Sequence, residues 1–127
     1  MMVLHSSDVF ITLVDPDGET LGRFYSQLFG LEPAVYIPSV YTEFLLPGLR
    51  LGIFKHQEKH AAEFAGTGGM SLCVEVDDLE EAIAQFTALG YPPPGEIAIA
   101  SHGREIYAYD PLGNRLILHE KVKITQY

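Results

Sequence analysis

The sequence predicts an α+β fold built from two β-α-β-β-β modules. One observation is a repeated order of signals, in residues 8–54 and again in 70–120. Each copy has an alternating apolar stretch, an acidic helix start and a helix closing on Leu28-Phe29-Gly30-Leu31 or Leu89-Gly90-Tyr91. Each then has a strand entered through a turn, Pro47-Gly48 in the first copy and Asp110-Pro111-Leu112-Gly113-Asn114 in the second. The other observation is size and composition. A chain of 127 residues, 47% hydrophobic and 20% charged, suits one domain, 1–127, with a packed core. Two similar halves commonly leave a concave site where they meet, and function is sought there.

The elements follow in order. Val9, Ile11 and Leu13 alternate with Phe10 and Thr12, the pattern of a strand with one apolar face. Asp15-Pro16-Asp17-Gly18 is a turn, and either aspartate can cap the next helix. Leu21, Phe24, Tyr25, Leu28 and Phe29 recur at helical spacing, and Gly30 closes the helix. Strands are expected over 34–37, 41–46 and 49–54. Residues 55–69 are polar, end in glycines and join the modules. Leu72, Val74 and Val76 then alternate with Ser71, Cys73 and Glu75. Asp78 with Glu81 forms a capping box, and Leu79, Ala82, Ile83, Phe86 and Leu89 make a helical stripe. Gly90 and Pro92-Pro93-Pro94 stop that helix. Strands are expected over 96–100, 105–109 and 115–119, with a tail from Lys121.

In this plan Val9, Ile11, Leu13, Leu49, Leu51 and Ile53 face the first helix, and Leu72, Val74, Val76, Leu116 and Leu118 face the second. The opposite faces carry Phe10, Thr12, Arg50, Phe54, Ser71, Cys73, Arg115, Ile117 and His119. That mixture of polar and large apolar groups suits a ligand-binding surface better than a dry core.

Charge and cysteine content limit the partners. Eight Lys and Arg against 17 Asp and Glu give a net charge of −9, which argues against nucleic acid and anionic membranes. The single Cys73 excludes an internal disulfide and fits a reducing compartment. Met1-Met2-Val3-Leu4-His5 has no charged region followed by an apolar run, and no apolar stretch approaches the roughly 18 residues of a membrane span. A cytoplasmic protein is expected.

Taken together, the paired plan, Phe24-Tyr25 before Leu28-Phe29-Gly30-Leu31, Glu75-Val76-Asp77-Asp78-Leu79-Glu80 and Asp110-Pro111-Leu112-Gly113-Asn114 resemble the vicinal oxygen chelate superfamily. Glyoxalase I, bleomycin-resistance proteins and extradiol dioxygenases belong to it. The resemblance runs from about Asp8 to Glu120. It implies a cupped mixed sheet, the glyoxalase/bleomycin-resistance fold, and a homodimer. In the family's metal enzymes, the first and fourth strands of each module each supply one His, Glu or Gln to a divalent metal. Those positions fall here at Asp8 or Phe10, near Gly52 or Phe54, at Ser71 and at Ile117. Phenylalanine, glycine and isoleucine offer no donor atom. The resemblance therefore points to the metal-free, bleomycin-resistance-like branch, with no cofactor and no metal.

His56 and His60, four apart, have the spacing of a zinc pair on a helix, but Glu58 stands one place from where the zinc-protease motif puts its acid, and the segment is read as a solvated connection between modules. His119 stands at a cup mouth or an exposed strand end, with Glu120 facing away. His102 falls in a hairpin loop and is expected to be merely exposed. Tyr36, Tyr41, Tyr107 and Tyr109 offer flat area plus a hydroxyl, and Tyr41 and Tyr107 are read as equivalent between modules. Arg50 and Arg115 also match, and either binds an anion or pairs with Glu43, Glu75 or Glu105. Cys73 is expected to be a buried, inert thiol.

The resulting expectation is metal-independent binding of a small, partly aromatic molecule in the cup between modules. Its contacts are Phe10, Tyr41, Phe54, Ser71, Tyr107, Ile117 and His119. The non-ligating positions argue against an enzyme. The alternative is a glyoxalase- or dioxygenase-type lyase, isomerase or oxygenase with a degenerate or relocated metal site. A third reading is a regulatory dimer whose cup is filled by its own side chains.

Overall fold

The computed structural model describes residues 5, 10–55, 71–100 and 102–122. The chain divides into two compact units, Met1–Ala65 and Gly66–Tyr127, and each holds one four-stranded mixed sheet and one helix. The architecture is α+β, as the sequence predicts.

The first unit runs β1 (Ile11–Val14), α1 (Thr20–Phe29), β2 (Val35–Ile37), β3 (Tyr41–Leu46) and β4 (Leu49–Phe54). Its strand order is β1-β4-β3-β2, with β1 parallel to β4 and the other pairs antiparallel. The crossover through α1 makes the parallel pair possible, because a tight turn cannot join parallel strands. Leu21, Phe24 and Tyr25 of α1 are buried, as are Phe44, Leu51 and Ile53. The helix comes so close to β3 that a Cβ on Gly22 would lie 3.3 Å from the Thr42 hydroxyl.

Both aspartates of the first turn serve the helix start. Asp17 Oδ1 accepts the N–H groups of Glu19 and Thr20 at 2.7 and 2.9 Å, and its other oxygen accepts from the Thr20 hydroxyl. The buried Asp15 accepts the Leu21 N–H at 2.7 Å. Gly30, at φ 63°, closes α1 with its N–H on Ser26 O, a left-handed cap that suits glycine.

The second unit runs β5 (Leu72–Glu75), α2 (Leu79–Ala88), β6 (Ala98–Ala100), β7 (Gly103–Tyr109) and β8 (Arg115–Lys121). Its order, β5-β8-β7-β6, repeats the first sheet, with β5 parallel to β8. α2 packs across β7 and β8, burying Leu79, Ala82 and Phe86 with Ile106, Ala108, Leu116 and Leu118. Asp78 accepts the Glu81 N–H at 3.1 Å, the expected cap. The Asp110 turn is closed by its own carboxylate, which accepts the N–H groups of Leu112 and Asn114 at 3.0 and 2.9 Å and the Asn114 amide at 2.8 Å. Gly113 sits there at φ 85°.

The repeat extends to individual bonds. Asp15 N–H donates to Phe54 O at 2.8 Å, and Val76 N–H donates to His119 O at the same distance. Phe54 and His119 are thus equivalent. Strand limits differ from the sequence reading at four places: β2 starts at Val35, β6 starts at Ala98, β7 starts at Gly103, and β8 continues through Glu120 and Lys121. The register explains the extension, since Gly103 pairs with Lys121 and glycine permits this close approach. Asp8, Val9, His56, Glu58 and His60 lie outside the described residues. Among the described residues no helix is long and apolar enough to cross a membrane.

Candidate functional site

Alternation along each strand sends one set of side chains toward the helix and the other to the opposite face. That helix-distal face holds all seven residues singled out from sequence, each on the sheet of its own unit. Phe10, Tyr41 and Phe54 belong to the first unit, and Ser71, Tyr107, Ile117 and His119 to the second.

On the first sheet Arg50 is the hub. Its guanidinium carbon lies 3.8 Å from the centroid of the Phe10 ring, a cation–π contact. Its Nε is 3.8 Å from Glu43 Oε1, and that same oxygen accepts the Tyr41 hydroxyl at 2.7 Å. Partial burial, and then the neighbouring Glu43 carboxylate, push the Tyr41 hydroxyl up to about 12. The Tyr41 ring covers Gly52 so closely that a Cβ there would stand 2.6 Å from the hydroxyl. Arg50 thus finds the carboxylate partner the sequence suggested, Glu43.

On the second sheet the pairings form rows across β5, β8 and β7. Cys73, Ile117 and Tyr107 make one row, and Glu75, His119 and Glu105 the next. Arg115 Nε donates to Ser71 Oγ at 2.6 Å, and its guanidinium lies 5.7 Å from the Tyr107 centroid. Among the described residues Arg115 has no carboxylate in ion-pair range, unlike Arg50. Tyr107 is 49% exposed and therefore open to a ligand.

At the far end of that face three side chains form a line. His119 Nδ1 lies 2.8 and 2.9 Å from the two oxygens of Glu75, and its Nε2 lies 2.8 Å from Nδ1 of His102. The His102 and His119 rings stack, with centroids 5.0 Å apart. His119 is 8% exposed, so the expected exposed strand end is instead a held, buried imidazole. His102 is exposed, as expected, but it has a partner. No sequence spacing signals this contact, since 17 residues separate the two histidines.

Two further expectations need correction. Tyr41 and Tyr107 are not equivalent: Tyr41 pairs with Phe54, whereas Glu105 pairs with the equivalent His119, so Tyr41 matches Glu105 and Glu43 matches Tyr107. The chemistry thus differs where the register is the same. Cys73 is exposed rather than buried. Partial desolvation, followed by the Glu75 and Glu105 carboxylates, raises its thiol pKa, so it remains a poor nucleophile. Tyr36, opposite Thr42, stands on the other face of its sheet, where its hydroxyl donates to Glu19 beside α1 at 2.9 Å.

The metal positions implied by the resemblance fit an ion poorly. Gly52 has no side chain, and the direction one would take is filled by Tyr41. Ile117 has no donor atom, Phe10 is stacked on Arg50, and the Ser71 hydroxyl already accepts from Arg115. The acidic group Asp78, Glu80 and Glu120 does not replace them. Its only buried member, Glu120, already accepts from Leu79 N and Arg104. An open depression of about 320 Å³ at the ends of β5 and β8 is lined by Glu75, Val76, Asp77, Glu120, Lys121 and Val122. It contains none of the seven residues, and borders His119 through the Glu75 carboxylate, the Val76 N–H and the adjacent Glu120.

No curated protein matches the chain significantly. A solution NMR structure of an Agrobacterium tumefaciens protein is 25% identical, with a TM-score of 0.73 over 90% of this chain and 96% of that one. Lactoylglutathione lyase from the same organism is 24% identical, with a TM-score of 0.69 over 91% and 95%. The fosfomycin resistance protein FosX of Listeria monocytogenes, in complex with Mn(II) and sulfate, is 23% identical, with a TM-score of 0.71 over 94% and 93%. The model of the Glyoxalase/Bleomycin resistance protein/Dioxygenase superfamily matches residues 9–118, and the chain belongs to that superfamily.

Proposed function

We propose that this protein binds a small, partly aromatic molecule on the helix-distal sheet faces, without a metal. The observation that supports this best is the fate of the family's ligand positions. Gly52 is covered by Tyr41, Ile117 is aliphatic, and the Ser71 hydroxyl is engaged by Arg115. The same faces offer an exposed Tyr107 beside an arginine that has no carboxylate partner among the described residues. An aromatic ring with an anionic substituent complements that pair by stacking and charge. A cytoplasmic setting fits the single thiol, and a homodimer fits two sheets whose β1 and β5 strands are edges within their units.

The rival reading is a metal-dependent enzyme, favoured by the FosX structure in complex with Mn(II). Two measurements separate them. Purified protein dialysed against a chelator is titrated with substituted benzoates by NMR, then again after adding nickel, manganese or zinc, with metal content measured in parallel. Saturable binding that is indifferent to metal supports the proposal. Stoichiometric metal retention, or binding that appears only with metal, overturns it.

A further inference from the structure

We propose that Glu75, His119 and His102 form a proton relay whose terminal base, His102 Nε2, deprotonates a planar carbon acid held on the second sheet. The inference concerns catalysis and takes only the substrate's place from the binding reading above.

Hydrogen-bond logic fixes the direction. An ionised carboxylate only accepts, so the two Glu75 oxygens place the proton of His119 on Nδ1. The Nε2 of neutral His119 then carries a lone pair, and His102 must donate to it from Nδ1 across 2.8 Å. The remaining ring nitrogen of His102, Nε2, is left with its lone pair on an exposed residue. A carboxylate orienting one imidazole, which orients a second, is the arrangement that fixes tautomers and steadies a forming cation.

The line is the wrong shape for a metal site. Both nitrogens of His119 are occupied along the chain, and the three side chains run in series rather than converging on a point. The charged groups around it are of both signs. Glu75 on β5 and Glu105, which pairs with His119 from β7, favour the imidazolium, while Lys121, which pairs with Gly103 beside the turn, opposes it.

The substrate class follows from the rest of the face. Arg115 and His119 lie four residues apart on β8, ~13 Å along a strand. Ile117 forms an apolar floor between them, with Tyr107 across from it. A planar molecule with a negative or electron-rich end fits that strip. A carbon acid is the class that gains, because O–H groups of comparable acidity ionise in water without help. The step is balanced: the C–H bond breaks, an N–H bond forms at His102 Nε2, and the electron pair stays on the substrate. The resulting imidazolium is held by His119 Nε2, and the proton later leaves to product or solvent.

The test has two parts on the full chain. Nitrogen-15 NMR of the histidine rings, without ligand, reads the tautomers. The expected result is Nδ1–H on both His102 and His119, with loss of the His119 preference in Glu75→Ala. Elimination of 5-nitrobenzisoxazole reads the base: His102 takes the ring C–H proton, a nitrile forms, the N–O bond breaks and a coloured phenolate leaves. Expected are a rate slower by roughly a hundredfold or more in His102→Ala, by roughly tenfold in Glu75→Ala, and a higher KM with little change in kcat in Arg115→Gln. Circular dichroism confirms that each variant is folded. An Nε2–H tautomer on His119, a rate unchanged in His102→Ala, or stoichiometric zinc retained on both rings after chelator dialysis would overturn the relay. If benzoates fail to bind while the tautomers and rates behave as stated, the binding proposal fails and the relay stands.

Discussion

Glu120 accepts the backbone N–H of Leu79 at 2.7 Å across 41 residues of chain. A strand-end carboxylate, 6% exposed, thereby satisfies the first turn of α2 and sits against the positive end of its dipole. Its other oxygen accepts from Arg104 Nε and Nη2 at 3.1 and 2.9 Å, while the Arg104 fork also donates twice to Glu80 at 2.7 Å. In the first unit the buried Asp15 serves α1 through Leu21 in the same way.

Glu120→Ala should lower stability by about 2–3 kcal/mol, because it strips a buried N–H and an arginine of a charged acceptor. Urea unfolding checks this through the midpoint at constant slope. An Arg104→Ala control should cost less, since the Leu79 bond survives.

Gly103 and Gly48 make a matched pair. Both have positive φ, 142° and 76°. A Cβ on Gly103 would lie 2.1 Å from Glu120 O, while one on Gly48 meets nothing within 4 Å. Gly103→Ala is therefore expected to cost roughly 2–4 kcal/mol, and Gly48→Ala only about 1 kcal/mol. Equal losses in thermal unfolding would contradict the β7–β8 register.

Gly52→Ala tests the cover over the first sheet. The new methyl meets the far end of the Tyr41 side chain, which can swing aside, so a loss of about 1–2 kcal/mol is expected. In the Tyr41→Ala background the same change should cost little. A double-mutant cycle measures the coupling.

Tyr41 also gives a pH prediction. Its folded value of about 12 lies above the ordinary tyrosine value of 10.0, because burial and Glu43 disfavour the phenolate. The folded state then binds the extra proton between those values. This contribution is complete below pH 10 and is lost as pH rises toward 12. Tyr41→Phe should flatten that alkaline loss, and absorbance at the tyrosinate band should lose its last-titrating component.

Arg115→Gln should weaken a benzoate ligand roughly tenfold, the scale of one charge-assisted contact. The same change at Arg50, which already holds Glu43 and Phe10, should weaken it less. NMR titration of both variants distinguishes the two arginines.

Local chemistry determined the elements and the sidedness of each strand. Period-2 and period-3.6 apolar patterns, Asp-Pro and Pro-Gly turns and glycine stops act within a few residues, so Gly30, Asp78 and the Asp110 turn were all legible in the chain alone. The side on which Phe10, Arg50, Ser71, Ile117 and His119 stand follows from alternation for the same reason. Strand pairing was not legible, because register is set by contacts between distant segments. Only the folded sheets revealed that Tyr41 stands opposite Phe54 while Glu105 stands opposite His119, that Cys73 is exposed, and that Glu120 closes a helix begun 41 residues earlier. The meeting of His102, His119 and Glu75 has the same origin. Parallel pairing of β5 with β8 and the turn before β7 bring together three groups that no sequence interval could have joined.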